Sequence, residues 1–292
     1  MAIRNFAEIV LRGISQVFLL NNVITGILFL AGVFYNSWLI GIGAVIGVLA
    51  GTFTAMLLKY NRNDINQGLY GYNGALVGLA TVYFFGFNMP SLIALFFGAI
   101  LSSIIMNIMT KWKLPPFTAP FVISTWTVMA IILILNIMPL QTAQLPNASN
   151  LEIVPALSRG IGQVMFQENV FTGIILFIGI LTSSRISALY ALLGTALGVI
   201  VAFACSFSLS MINVGLFGFN GVLCGISFSN KKWSALILAA ASIVISIFLI
   251  YGMMGLGIIT LTSPFVLSAW LVLLLEKRLR DKDKGQTGRF CC

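Results

Sequence analysis

Histidine is absent from this sequence of 292 residues, and only seven residues are acidic. Without histidine, and with no cysteine pair at the spacing of metal ligands, a metal site is not expected. No phosphate-binding motif and no paired nucleophile and base are present, so neither a cofactor nor enzyme activity is predicted. Charged residues make up only 8% of the chain, whereas a soluble domain carries about 25%. This composition cannot cover a surface facing water, and we expect an integral membrane protein in contact with the lipid bilayer.

Long apolar segments are what the sequence has in abundance. Hydrophobic residues make up 59% of the chain and recur in runs of roughly 20 residues, the length of a membrane-spanning helix. Such runs favour helices over the alternating strands of a membrane barrel. The predicted fold class is therefore an all-α integral membrane protein.

The sequence is also a tandem repeat. Residues 65–79 read INQGLYGYNGALVGL and residues 212–226 read INVGLFGFNGVLCGI, identical at nine of fifteen positions at a spacing of 147. RGISQVFLLNNVITG pairs with RGIGQVMFQENVFTG at the same spacing, and TAPFVISTW pairs with TSPFVLSAW at a spacing of 144. Three matched blocks in one order predict two structurally related halves.

Each half contains one short, partly polar segment and five longer apolar spans. The short segments lie near 5–19 and 152–167. Because five crossings is an odd number, the second half must enter the membrane from the opposite side. We therefore predict ten transmembrane helices plus two short re-entrant or pore helices in two inverted-topology repeats. The repeats occupy 1–145 and 146–276, and a basic cytoplasmic tail follows at 277–292.

The positions of the basic residues test this topology independently. Under the ten-span prediction, fifteen of the sixteen lysines and arginines fall on one side of the membrane. The exception is Arg159, the repeat partner of Arg12, which inversion places on the opposite side. The excess of basic residues predicts that this side of the membrane is the cytoplasmic one and that both termini lie there. The net charge of +9 is thus explained by topology, and no nucleic-acid partner is expected.

Inverted repeats are typical of transport proteins, whose solute path runs where the two halves meet. No acidic residue lies mid-span under this prediction, although intramembrane ionisable groups mark proton relays and ion sites. This absence favours passive movement of a neutral polar molecule. Two alternatives stay open: an ion-coupled secondary carrier for a small neutral polar solute, and a membrane scaffold that transports nothing.

Polar residues within the apolar spans are the first candidates for a solute path. Gln16 and Gln163 lie in the short segments, each within an apolar context. Thr118 and Thr262 each precede a proline by two residues, and a proline disrupts regular helix and is expected to free backbone carbonyls. Carbonyls, amide oxygens and hydroxyls together would form a row of hydrogen-bond acceptors.

The glycines and aromatic residues of the repeated stretch are interpreted differently. Glycines at 68, 71, 74 and 78 have the spacing of a tight helix contact. The aromatic residues of the stretch, which recur in both halves, are interpreted as packing residues: Tyr70, Tyr72, Phe217 and Phe219.

These blocks resemble the urea transporter family over nearly the whole chain. The resemblance is carried by RGISQVFLLNNVITG, DINQGLYGYNGALVGL and LPPFTAPFVISTW, and LPPFTAP is similar to the Leu-Pro-x-x-Thr-x-Pro signature of the family. It implies a homotrimer with one pore in each protomer. Urea, with water and small amides as further candidates, would pass by facilitated, channel-like diffusion. The brevity of the chain is typical of a bacterial protein of the inner (plasma) membrane.

The resemblance also implies which residues form the filter. They are two glutamines at the mouths, a valine beside each, two facing leucines, an aromatic wall and two mid-pore threonines: Gln16, Gln163, Val17, Val164, Leu76, Leu223, Phe166, Thr118 and Thr262. Leu19 departs from the pattern, because it stands where the family would have an aromatic wall. Either Leu19 forms this wall, Phe18 turns inward, or the register differs by one residue.

Overall fold

The computed structural model describes residues 3–112, 115–141 and 145–287. Over these residues the chain forms α-helices, one short 3-10 turn and no β-strand. The predicted tail at 277–292 is described as far as Thr287, and Cys291 and Cys292 lie outside the described residues. The all-α prediction is confirmed for the part of the chain that is described.

Among the described residues, each half contains seven α-helices. The first half contains α1 (Ile3–Gln16), α2 (Val23–Asn36), α3 (Trp38–Leu57), α4 (Arg62–Asn66), α5 (Gly71–Phe85), α6 (Met89–Met109) and α7 (Ala119–Ile134). The second half contains α8 (Ile153–Gly162), α9 (Val170–Ser183), α10 (Arg185–Ala204), α11 (Leu209–Asn213), α12 (Phe219–Ser227), α13 (Trp233–Gly255) and α14 (Ser263–Thr287). The 3-10 turn (Gln163–Met165) follows α8 directly.

The helices of the two halves begin and end at matched positions. Helices α2 and α9 are both 14 residues long, and α3 and α10 are both 20 residues long. Each of these pairs keeps the spacing of 147 at both ends, while α7 and α14 begin 144 residues apart. The sequence repeat is therefore accompanied by a repeat in the order and the starting points of the helices.

Several helices have the length and composition of membrane spans. Within the described ranges, α3, α6, α10 and α13 are long and apolar enough to cross a bilayer alone. Helices α8 and α9 form a pair bent by 72°, which is a broken span or a re-entrant loop. Helices α2 and α7 are apolar but shorter than the about 20 residues that a straight crossing needs. The protein is thus a multi-pass membrane protein, and the count of ten spans stays a prediction.

Some predicted spans differ from the helices. The span predicted near 67–87 begins at Gly71, because the chain from Arg62 first forms the separate short helix α4. Helix α14 continues to Thr287, well beyond its apolar part. This extension is rich in Lys and Arg, which favour helices without needing an apolar environment.

Glycines allow two helices to cross in close contact in each half. A Cβ atom on Gly47 of α3 would lie 2.1 Å from the carbonyl oxygen of Gly74 on α5, and one on Gly74 would lie 2.3 Å from the oxygen of Gly47. In the second half, a Cβ atom on Gly194 of α10 would lie 2.2 Å from the carbonyl oxygen of Gly221 on α12, and one on Gly221 would lie 2.5 Å from the oxygen of Gly194. No side chain fits at these crossings, and the packing interpretation of the repeated glycines is confirmed.

Candidate functional site

Two cavities lie at equivalent places in the two halves. The first vestibule, of about 380 Å³, is lined by Gln16, Leu19, Asp64, Leu69, Tyr72, Met106, Thr110, Pro115, Pro116 and Phe117. The second vestibule, of about 290 Å³, is lined by Tyr83, Phe84, Gln163, Val164, Phe166, Leu216, Phe219, Ile250, Met254 and the segment 257–262. Most lining residues of the first vestibule have their repeat partner in the second.

The two glutamines are held in one orientation by the backbone. Gln16 Nε2 donates to the carbonyl oxygen of Gln67 over 3.2 Å, and Gln163 Nε2 donates to that of Val214 over 3.0 Å. Because a carbonyl oxygen only accepts hydrogen bonds, the nitrogen of each amide must face it. The described part of the chain provides no donor to either amide oxygen. Each vestibule therefore contains an amide oxygen that can accept a hydrogen bond from a solute.

The two threonines meet each other between the vestibules. Thr118 Oγ1 and Thr262 Oγ1 are 2.6 Å apart. Thr118 follows Phe117 of the first vestibule, and Thr262 lines the second. Both side chains are almost fully buried, at 0% and 2% exposure. The contact joins the two halves between the cavities.

Helices α7 and α14 both begin at this threonine pair. The first N–H groups of a helix have no partner within the helix. Asn73 Oδ1 of α5 accepts from the N–H of Phe121 over 3.1 Å, and Asn220 Oδ1 of α12 accepts from that of Phe265 over 3.0 Å. The asparagines in the repeated stretch therefore satisfy helix donors in the apolar interior.

The prolines at 120 and 264 do not disrupt these helices. Each is the second residue of its helix, since α7 begins at Ala119 and α14 at Ser263. A proline in the first turn removes no intrahelical hydrogen bond, so neither proline frees a carbonyl. The carbonyls that do face the interior precede the threonines: Phe117 O accepts from Tyr72 OH, and Leu261 O accepts from Asn220 Nδ2.

Contacts between the halves are reciprocal. Trp126 Nε1 donates to the carbonyl oxygen of Ile259, and Trp270 Nε1 donates to that of Pro115, both over 2.8 Å. The two tryptophans are 144 residues apart, and so are the two acceptors. The same reciprocity relates the hydroxyl of Thr25, which donates to Gly179 O, to that of Thr172, which donates to Gly32 O. Contacts of this kind are those of a two-fold related pair.

Leu19 and Phe166 occupy equivalent positions. Both have left-handed backbone conformations, with φ of 58° and 59°, and each lines the vestibule of its own half. A left-handed non-glycine residue costs roughly 1–2 kcal/mol, so the surrounding structure must hold these turns. Phe18 is fully buried and packs on Phe29 at a ring-centroid distance of 4.7 Å. Of the three alternatives, the structure places Leu19 at the vestibule.

Some residues singled out in the sequence lie behind the vestibules. Val164 lines the second vestibule, whereas Val17, Leu76 and Leu223 are fully buried and are not among the described residues that line either vestibule. They belong to the hydrophobic core around the site.

Two vestibule residues have only a packing interpretation in the sequence. Tyr72 and Phe219 are 3% and 8% exposed, and each lines a vestibule. Tyr70 and Phe217 are buried in the core, as the packing interpretation predicts. One signal could have separated Tyr72 and Phe219 from Tyr70 and Phe217. Tyr72 lies one residue before Asn73 on α5, and the side chain of Asn73 reaches α7.

The chain is similar to known proteins over most of its length. The sequence model of the family described as urea transporter matches residues 7–277. Urea transporter 1 of the sheep, Ovis aries, is 31% identical over 298 residues, which cover 94% of this chain and 78% of the relative. Urea transporter 1 of the rat, Rattus norvegicus, is 35% identical over 266 residues, which cover 81% and 67% of the two chains.

Proposed function

The chain belongs to the urea transporter family, and we propose that it moves urea across the membrane by facilitated, channel-like diffusion between the two vestibules. The family is one of transporters, not of enzymes. The observation that carries the proposal is the pair of anchored glutamines, each of which leaves an amide oxygen for a solute.

Urea is planar and neutral, with N–H donors on both nitrogens and one carbonyl acceptor. Removing a group of this kind from water without new hydrogen bonds costs roughly 2–7 kcal/mol. The amide oxygens of Gln16 and Gln163 would accept from urea at the two mouths. Flat apolar walls would exclude bulkier solutes, and we assign this role to Leu19 and Phe166, with Val164 beside Phe166 in the second vestibule and three buried residues behind the walls: Val17, Leu76 and Leu223.

The threonine pair would form the middle site. A hydroxyl both donates and accepts, so Thr118 and Thr262 can exchange their mutual bond for one bond each to urea. The 2.6 Å contact between the two hydroxyls would lie across the proposed path. Urea would pass when these two side chains separate, without a rearrangement of the halves. This favours passive conduction over a carrier with alternating access.

Cations are disfavoured at the same point. Helices α7 and α14 begin at Ala119 and Ser263, and a helix N-terminus carries a positive partial charge. Two such ends beside the threonine pair raise the free energy of a cation there, and no carboxylate is among the described residues at the pair. A neutral solute carries no net charge and so avoids this penalty.

We also propose the inverted topology that the sequence predicts, with repeats at 1–145 and 146–276 and both termini in the cytoplasm. The reciprocal tryptophan bonds support a two-fold relation between the halves. With an odd number of crossings in each half, that axis must lie in the membrane plane. A homotrimer completes the proposal on the strength of the resemblance, together with the bacterial inner membrane and the basic cytoplasmic tail at 277–292 that the sequence predicts.

Urea uptake by liposomes that contain the purified protein tests the function. We expect labelled urea to equilibrate without any ion gradient, faster than in empty liposomes. Uptake that requires a Na⁺ or proton gradient would point to the ion-coupled carrier instead. Uptake no faster than in empty liposomes would contradict transport of urea altogether.

A further inference from the structure

Leu19 and Phe166, which form equivalent walls of the two vestibules, differ in the contacts that hold them in place. Phe166 lies in an aromatic cluster, with ring-centroid distances of 5.3 Å to Tyr83 and 5.8 Å to Phe84. Leu19 is its repeat partner in the first vestibule. The position equivalent to Tyr83 in the second half is Asn230, so the repeat does not reproduce this cluster around Leu19.

The turn that carries Phe166 is also tied to the opposite half by hydrogen bonds. Tyr83 OH on α5 donates to Glu168 Oε1 over 2.8 Å, and Asn36 Nδ2 on α2 donates to Gln167 Oε1 over 2.8 Å. Arg159 Nε donates to the carbonyl oxygen of Glu168 over 2.9 Å and holds the turn from its own half. Side chains from three helices, α2, α5 and α8, thus hold the turn that carries Phe166.

The equivalent turn of the first half lacks these ties. Leu20 and Asn21 stand where Gln167 and Glu168 stand in the second half. Asn21 accepts a longer bond, of 3.3 Å, from Arg12 within the same turn. Apart from the glutamine bond that both halves share, the side-chain bonds found in the described part of this turn stay within residues 12–25 of the first half. Leu19 is therefore free to yield to a wider solute where Phe166 is not.

We propose that Tyr83 and Glu168 are positioning residues that hold the Phe166 ring, and that the second vestibule is where solutes wider than urea are rejected. The inference rests on the proposed function, since it assigns selectivity to one end of that path. A wall can discriminate between solutes that differ by one or two methyl groups only if it does not move aside. The class of solute distinguished here is the N-methylated ureas.

The test compares permeation of N,N′-dimethylurea and urea through the full chain in liposomes by stopped-flow light scattering. Tyr83→Phe keeps the ring and removes only the hydroxyl, and Glu168→Ala removes the acceptor. We expect both variants to raise the dimethylurea-to-urea permeability ratio by about threefold to tenfold, the effect of losing one hydrogen bond. Glu168→Gln keeps an acceptor oxygen and should restore the original ratio.

Tyr190→Phe is the matched control. It removes another tyrosine hydroxyl that makes a 2.8 Å bond, here to the carbonyl oxygen of Asn230 and away from both vestibules. A ratio that stays unchanged in Tyr83→Phe and Glu168→Ala would overturn the inference, as would an equal rise in Tyr190→Phe. If the unaltered protein conducts urea in those experiments, the proposed function stands. If it does not conduct urea, both proposals fail.

Discussion

The hydroxyl oxygens of Thr118 and Thr262 are 2.6 Å apart across 144 residues of chain. Each threonine is the repeat partner of the other, so this is a contact between equivalent atoms of the two halves. In a two-fold related pair, such a contact can form only at the axis. The pair lies between the two vestibules, on the proposed path of the solute, so its hydroxyls are the first place to test that path.

We expect the double variant Thr118→Val, Thr262→Val to conduct urea roughly tenfold more slowly, because two hydrogen bonds of about 0.5–1.5 kcal/mol each are lost to the permeating solute. Folding should be retained, since replacing both partners of a buried hydrogen bond with apolar groups is nearly neutral. Stopped-flow urea permeation and thermal unfolding measure the two effects.

Thr127→Val is the control for this pair, because the Thr127 hydroxyl is exposed and donates to the Ile123 carbonyl of its own helix. The single variants should be less stable than the double variant, because each leaves one buried hydroxyl without its partner. Urea permeation that is unchanged in the double variant would refute the middle site.

Gln16→Leu and Gln163→Leu should each slow urea permeation by roughly fivefold, because each removes one acceptor worth about 1 kcal/mol to a dehydrated solute. The control is Gln67→Ala. The side chain of Gln67 is exposed, and only its backbone carbonyl, which the variant retains, accepts from Gln16. If Gln67→Ala slowed permeation as much as Gln16→Leu, the amide oxygen of Gln16 would not be the relevant group.

Gly74→Ala should destabilise the protein by roughly 3 kcal/mol or more, a loss typical of overpacking in a core. The added Cβ would lie 2.3 Å from the carbonyl oxygen of Gly47, which is backbone and cannot move aside. The shift of the thermal unfolding midpoint in detergent measures the effect.

Gly252→Ala is expected to have the opposite effect on stability. Nothing lies within 4 Å of a Cβ at this helical position, and alanine is favoured over glycine in a helix interior by roughly 0.5–1 kcal/mol. Its unfolding midpoint should therefore rise slightly. Equal midpoints for the two variants would show that the α3 and α5 crossing does not limit stability.

Residue type and repetition singled out polar residues that the structure places around the two vestibules. Gln16 and Gln163 line equivalent vestibules, and the two threonines lie at their junction. Polar side chains in an apolar chain must find partners, so their recurrence at one spacing is informative. The glycine pattern was equally informative, because a close crossing tolerates no side chain.

The apolar part of the site could not be predicted in the same way. Leucines and aromatic residues occur on every face of these helices, so composition does not distinguish a vestibule wall from the core. Leu76 is buried behind the site, whereas Tyr72, interpreted as packing, lines the first vestibule. The bond between Tyr83 and Glu168 links residues that the repeat does not relate, and only the folded arrangement brings them together.

The inverted topology makes a prediction that separates it from a parallel repeat. Asn61 and Ser208 are 147 residues apart, are both exposed, and have nearly identical backbone conformations with φ of −55°. In a background with all four native cysteines replaced by serine, Asn61→Cys and Ser208→Cys each introduce one thiol. We expect an impermeant maleimide to label residue 61 only from the cytoplasmic face and residue 208 only from the outer face of the membrane. Because a parallel repeat places equivalent residues on the same side, labelling of both thiols from one face would exclude a two-fold axis in the membrane plane.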